Sequence, residues 1–223
     1  MANIDLINYL KGFLLEERVN TIEKILSQRT RYMTIVLEDI YQSQNANAVL
    51  RTCECFGVQD VHIIENRNPY KSNPDVVRGA SKWLTLMRYN NNFNNTPEAF
   101  ERLKKDGYRI VVTSPHANDI DLPAFDLNKG KFALVIGNER EGISEFAQNH
   151  ADEFLKVPML GFTESLNLSV CTAIIVHNLM QKLHGSGIDY LLSVQESENL
   201  LQEWLIKSIK RSDLIVDRFL NLQ

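Results

Sequence analysis

The sequence predicts an α/β protein built on a mostly parallel sheet. Short apolar, β-branched runs alternate with stretches of helical periodicity from about residue 33 to 184. The run 132–137 is apolar throughout, as a strand covered on both faces is. Glycines and prolines punctuate the runs at the spacing that strand–helix units need.

Each element follows from local pattern. Residues 4–28 read as helical, with Leu6, Leu10, Phe13 and Leu14 and then Val19, Ile22, Ile25 and Leu26 at helical spacing. Residues 33–37 read as a strand, 46–56 as a helix ending before Gly57, and 61–65 as a second strand. A polar loop with two Asn-Pro signals follows, then a strand at 84–89 and an asparagine-rich loop at 90–95. Thr96 and Pro97 open a helix that Gly107 ends. Strands at 109–113, 132–137 and 154–157 come next, with a short helix at 144–151. A long helix spans 165–184, and two amphipathic helices near Trp204 and Phe219 finish the chain. The organisation expected is a helical extension at 1–32, an α/β domain at 33–184 and a second helical extension at 185–223.

Composition narrows the class. Hydrophobic residues are 44% and charged residues 23% of the chain, as in ordinary globular proteins. No apolar run is long enough to span a membrane, and the start of the sequence lacks the basic-then-apolar order of a secretory signal. Cys53, Cys55 and Cys171 form no metal-ligand pattern, so no metal is expected, and reduced thiols in a cytoplasmic protein are. The net charge of −4 is unhelpful for a protein that meets phosphates. Charge is uneven, however: residues 66–88 hold Arg67, Lys71, Arg78, Lys82 and Arg88 against Asp75 alone. A solvated loop explains this run as well as a phosphate contact does.

Three stretches carry chemistry. In the first, Asn45 and Arg51 stand at the start of a helix, six residues apart and roughly on one side. A helix N-terminus beside an amide and a guanidinium suits a phosphate or oxyanion. In the second, a buried strand runs into Gly137-Asn138-Glu139-Arg140-Glu141-Gly142-Ile143-Ser144. Glycine at a strand end permits close backbone approach, and Glu139 falls at the mouth of the sheet. In the third, Val157-Pro158-Met159-Leu160-Gly161 leads through Ser165, Leu166 and Asn167 into the long helix. Each alone has a bland explanation: a surface arginine, an ordinary turn with Ser144 as a cap, and helix capping by Ser165. No dinucleotide glycine fingerprint follows the first strand, so nicotinamide chemistry is a weak alternative.

Taken in order, the stretches match N-x-x-A-x-x-R-x-x-x-x-x-G, I-G-N-E-x-x-G-I-S and I-P-M-x-G-x-x-x-S-L-N-x-S-V, with Val157 in place of isoleucine. Over about residues 33–184 the chain resembles the SPOUT-type RNA 2′-O-methyltransferases, the SpoU/TrmH family. That resemblance implies a deep C-terminal trefoil knot, a feature otherwise nearly absent from proteins. It implies S-adenosylmethionine held near Thr113, Ile136, Gly137, Val157, Met159 and Leu166, and a homodimer whose sites draw on both subunits. Arg51, Asn45, Glu139, Ser165 and Asn167 become the catalytic candidates. Arginine normally keeps its proton. Two roles for Arg51 therefore stay open: a base activated by substrate phosphate, or a charge that positions the phosphate and polarises the ribose hydroxyl.

Short helical extensions, in place of a large N-terminal domain, are similar to those of members that methylate a tRNA D-loop guanosine. A tRNA substrate follows, with Arg67, Lys71, Arg78 and Lys82 as backbone contacts. The near-neutral and acidic extensions depart from the basic ones usual in that branch. Two alternatives stay open: a ribosomal-RNA methyltransferase of the same family, and a non-catalytic RNA-binding module.

Overall fold

A computed structural model describes residues 2–71, 73, 79–114, 119–163 and 165–221. It divides into two compact units, residues 31–190 and the paired termini 1–30 with 191–223.

The larger unit is a seven-stranded sheet in the order β3-β2-β1-β6-β4-β7-β5. The strands are β1 (Met33–Glu38), β2 (Asp60–Ile64), β3 (Thr85–Tyr89), β4 (Arg109–Thr113), β5 (Ile120–Asp121), β6 (Phe132–Ile136) and β7 (Glu153–Lys156). Every pairing is parallel. The expected fold class is the observed one.

Burial follows the strand period of two. Met33, Ile35 and Leu37 of β1 point to one face, where they join α3 (Ser43–Cys55) and α6 (Leu168–His184) in a single core. Val36 points the other way, with Val112, Ala133 and Val135, toward Phe100 and Leu103 of α4 (Thr96–Lys105) and Ala147 of α5 (Glu145–His150). β1 and β6 lie at the centre and are buried at every position, which fits the unbroken apolar run of β6 and the mainly apolar one of β1, where Thr34 and Glu38 are buried too. The edge strand β5 is only two residues long and carries no periodic signal. Sequence reasoning missed it for that reason.

Strand order places a topological switch between β1 and β6, since β2 and β3 continue to one side and β4, β7 and β5 to the other. Loops after the C-terminal ends of β1 and β6 therefore meet at the crevice where α/β proteins hold ligands.

The terminal unit contains α1 (Ile4–Lys11), α2 (Glu16–Leu26), α7 (Val194–Ser208) and α8 (Ser212–Leu220). The stretch 4–28 is thus two helices, interrupted at 12–15, although its apolar spacing continues through the break. The two sequence extensions form one body. Arg29 and Trp204 are buried together, the guanidinium 5.1 Å from the ring centre. The Leu192 amide donates to the Arg29 carbonyl at 3.2 Å, and Ser193 with Glu196 closes a capping box on α7.

One buried titratable group gives the fold an acid limit. His62 Nδ1 lies 2.8 Å from the Tyr89 hydroxyl, and burial holds its pKa down at about 4 from 6.5. The folded protein keeps this ring neutral, while the unfolded chain takes up a proton as pH falls through 6.5. Its contribution is complete above that pH and is lost between 6.5 and about 4. Denaturant titrations at about pH 7.5 and 4.5 should differ by roughly 2–3 kcal/mol from this ring alone. His62→Gln should narrow the difference by that amount.

Candidate active site

The three stretches meet at the C-terminal end of the sheet, and a carboxylate joins two of them. Glu139 reaches back to the entry of α3, where Gln42 supplies no side-chain cap. Its Oε2 accepts the Tyr41 amide at 2.8 Å, and its Oε1 accepts the Gln42 amide at 3.2 Å and Asn45 Nδ2 at 2.7 Å. A negative group here meets the unpaired N–H groups and the positive end of the helix dipole. Asn45 Oδ1 in turn accepts Asn167 Nδ2 at 3.2 Å. Asn167 Oδ1 caps α6 by accepting the Ser169 and Val170 amides at 2.9 and 3.3 Å. Glu139, Asn45 and Asn167 therefore form one chain of hydrogen bonds across the three stretches.

The glycines of the second stretch have a geometric cause. A Cβ on Gly137 would sit 2.5 Å from the Gly142 carbonyl carbon and oxygen and 2.7 Å from the Ile143 nitrogen. The approach arises because Asn138 and Gly142 exchange backbone hydrogen bonds of 2.8 Å in each direction. Gly142 turns the loop with φ 72°. Asn138, which sequence reasoning left without a role, fastens the loop. Its Oδ1 accepts the Arg140 and Glu141 amides, and its Nδ2 donates to the Asp39 carbonyl at 2.6 Å. Its position between two glycines was the signal available. Ser144 caps α5 and donates to the buried Glu38 at 2.7 Å.

Other candidates stand apart from the network. Ser165 is exposed and is not the cap of α6, which begins at Leu168 with Asn167 as its cap. Arg51 is exposed, whereas Asn45 is almost fully buried, so the two do not share a side of α3. Rise along the axis suggested one side, but six residues at 100° each leave the pair about 120° apart around the helix. The Arg51 side chain makes no hydrogen bond or ion pair with another described residue.

Among the cofactor candidates, Ile136 is buried and Val157 packs against the core. The Thr113 hydroxyl donates to the Val135 carbonyl at 3.1 Å. Met159 and Leu166 are exposed, along with Leu160 and Phe162 between them. A separate cleft of about 260 Å³ is lined by Glu38, Asp39, Asn66, Arg67, Asn138 and Glu141, among others, and by none of these cofactor candidates.

The basic segment is less free than its count suggests. Arg67 bridges Asp39 and Glu141, and Arg88 grips Glu65 with two hydrogen bonds of 2.7 and 2.9 Å. Burial opposes the charge of Asp39, but the Asn68, Arg67 and Asn66 amides and the Arg67 side chain outweigh it and hold that carboxyl below its usual range. Lys82 lies 4.9 Å from the Trp83 ring centre. Lys71 is exposed, and Arg78 lies outside the described residues. Among the described residues, no cluster of three or more His, Cys, Asp or Glu is placed to hold a metal, and no helix is long and apolar enough to cross a membrane.

A parallel sheet with a switch-point crevice, and a carboxylate–amide–amide chain tying three loops there, define an α/β protein with a site assembled at the ends of its strands. The chain belongs to the SpoU rRNA Methylase family, whose model matches residues 32–177. It is 43% identical over 209 residues to the Borreliella burgdorferi protein named tRNA (guanosine(18)-2′-O)-methyltransferase, covering 94% of each chain. A Thermus thermophilus protein of the same name is 31% identical over 194 residues, covering 86% of this chain and 97% of that one. The crystal structure of the A. aeolicus TrmH/SpoU tRNA modifying enzyme superposes with a TM-score of 0.76 at 25% identity, covering 88% of this chain and 98% of that one.

Proposed function

We propose that this protein transfers a methyl group from S-adenosylmethionine to a ribose 2′-hydroxyl of tRNA, at the guanosine named in its relatives. The observation that carries the reading is the Glu139–Asn45–Asn167 chain, which fixes three loops in one arrangement at the sheet's end. Preorganisation of this kind holds reacting groups in line and contributes on the order of 7–11 kcal/mol at best. The names of relatives matched along nearly their whole length favour tRNA over ribosomal RNA.

The residues present fit the cofactor. Exposed apolar side chains at Met159, Leu160, Phe162 and Leu166 suit the flat face of an adenine. When bound, the cofactor supplies an electrophilic methyl group. Arg51 steadies the substrate phosphate and polarises the ribose hydroxyl, while Glu139, Asn45 and Asn167 hold the loops around it, and Ser165, exposed, faces the substrate side. The reading brings with it the knot of the family resemblance and a cytoplasmic location with the RNA.

A second copy of the chain completes the site. Val170 and Ile174 stand exposed one turn apart on α6, directly after the apolar loop, and form a face suited to burial in a symmetric dimer. The exposure of Arg51, away from Asn45 of its own chain, fits a site shared between subunits.

Incubation with methyl-labelled S-adenosylmethionine and bulk tRNA, followed by nucleoside mapping, tests the reading. Label in a 2′-O-methylguanosine of tRNA is expected. Label only in protein-free ribosomal RNA would select the other substrate, and none in either would overturn the proposal. Charge reversal at Lys71 and Arg78 should raise the KM for RNA several-fold and lower the salt slope by about one for each phosphate no longer neutralised. Cofactor affinity, measured by calorimetry, should not move.

A further inference from the structure

We infer that Tyr41 and Arg140 form a stacking platform for an unstacked nucleobase of the RNA substrate, beside the ribose to be methylated. The inference rests on the function proposed above. Arg140 Cζ lies 3.7 Å from the centre of the Tyr41 ring, closer than any other cation–ring pair among the described residues. At that distance the guanidinium lies in van der Waals contact with the ring. Both side chains are exposed, Tyr41 at 45%.

Their backbones are fixed by the site itself. The Tyr41 amide donates to Glu139 Oε2 at 2.8 Å, and the Arg140 amide donates to Asn138 Oδ1 at 2.8 Å. The pair therefore flanks Glu139, which also holds Asn45. Each half belongs to a different loop, so the stack exists only when the site is assembled. An exposed cation–ring pair by itself contributes little to stability, about 0.5–1 kcal/mol. Fold stability does not account for a phenol and a guanidinium held out to solvent at the rim of a catalytic network.

RNA-binding proteins recognise splayed bases by stacking them on aromatic rings and guanidinium planes. The guanidinium edge also offers N–H donors that match the acceptors of guanine. The platform accepts a purine as a third layer, and it keeps the sugar of that nucleotide near Glu139 and Asn45.

The test uses the full-length protein, a tRNA transcript and the same transcript with 2-aminopurine at the mapped target position. Tyr41→Ala and Arg140→Ala should each lower kcat/KM for RNA about tenfold to a hundredfold. They should also abolish the 2-aminopurine quenching that the unmodified protein produces, with melting temperature and cofactor affinity retained. Tyr41→Phe should restore the quenching, and Arg140→Lys, which keeps charge without a plane, should not. Quenching and turnover equal to the unmodified protein in both alanine variants would overturn the platform. Absence of RNA methylation by the unmodified protein would overturn the function and the platform together, and that control is read first.

Discussion

Gly137→Ala should cost about 3 kcal/mol or more of folding stability. The added methyl group would lie 2.5 Å from the Gly142 carbonyl carbon and oxygen, and these are backbone atoms, not a flexible chain end. Relief requires breaking the paired 2.8 Å hydrogen bonds between Asn138 and Gly142, or tilting β6, which is buried along its length. Either response also displaces Glu139. Denaturant titration should therefore show a lower midpoint with an unchanged slope, together with abolished methyl transfer. Gly187→Ala is the control: a methyl group there meets nothing within 4 Å, and stability should stay within about 0.5 kcal/mol. A Gly137→Ala protein as stable as its parent would contradict the loop geometry.

Arg51→Ala should lower kcat about 10²–10³-fold, the scale for removal of one preorganised charge-stabilising donor. The side chain is exposed and makes no hydrogen bond or ion pair with another described residue, so stability and cofactor affinity should hold. A shared site adds a sharper expectation. Arg51→Ala and Glu139→Ala chains are each inactive alone, but mixing them in equal amounts places both defects in one site of each mixed dimer. The other site is intact, and about a quarter of parental activity should return. No recovery after verified subunit exchange would place Arg51 and Glu139 of the same chain in one site. Near-normal turnover by Arg51→Ala itself would end its assigned role.

The sheet was legible because its strands follow local rules. β6 carries an unbroken apolar run and β1 a mainly apolar one, and α4 starts at Thr96 and stops before Gly107, although Asn95 and not Thr96 holds the cap position. Features set by distant partners were not. The stretch 4–28 keeps helical spacing through a break that packing within the terminal unit decides. Ser165 and Asn167 are both able to cap a helix, and only the meeting with Asn45 selects Asn167. The charge of the segment 66–88 was counted within itself, yet Asp39 and Glu141, which neutralise Arg67, come from other loops. Arg140 stood inside a recognised stretch, but its partner Tyr41 lies outside all three.

The Glu139–Asn45 and Asn167–Asn45 hydrogen bonds span 94 and 122 positions of chain. During synthesis, a nascent polypeptide on the ribosome carries β1 and α3 long before their partners leave the exit tunnel. Asn45 must wait, without its carboxylate partner, for residues 139 and 167 to emerge. A truncated product released before that point carries Asn45 without either of its partners, so its loops stay untied, and on the function proposed above such fragments should not methylate RNA.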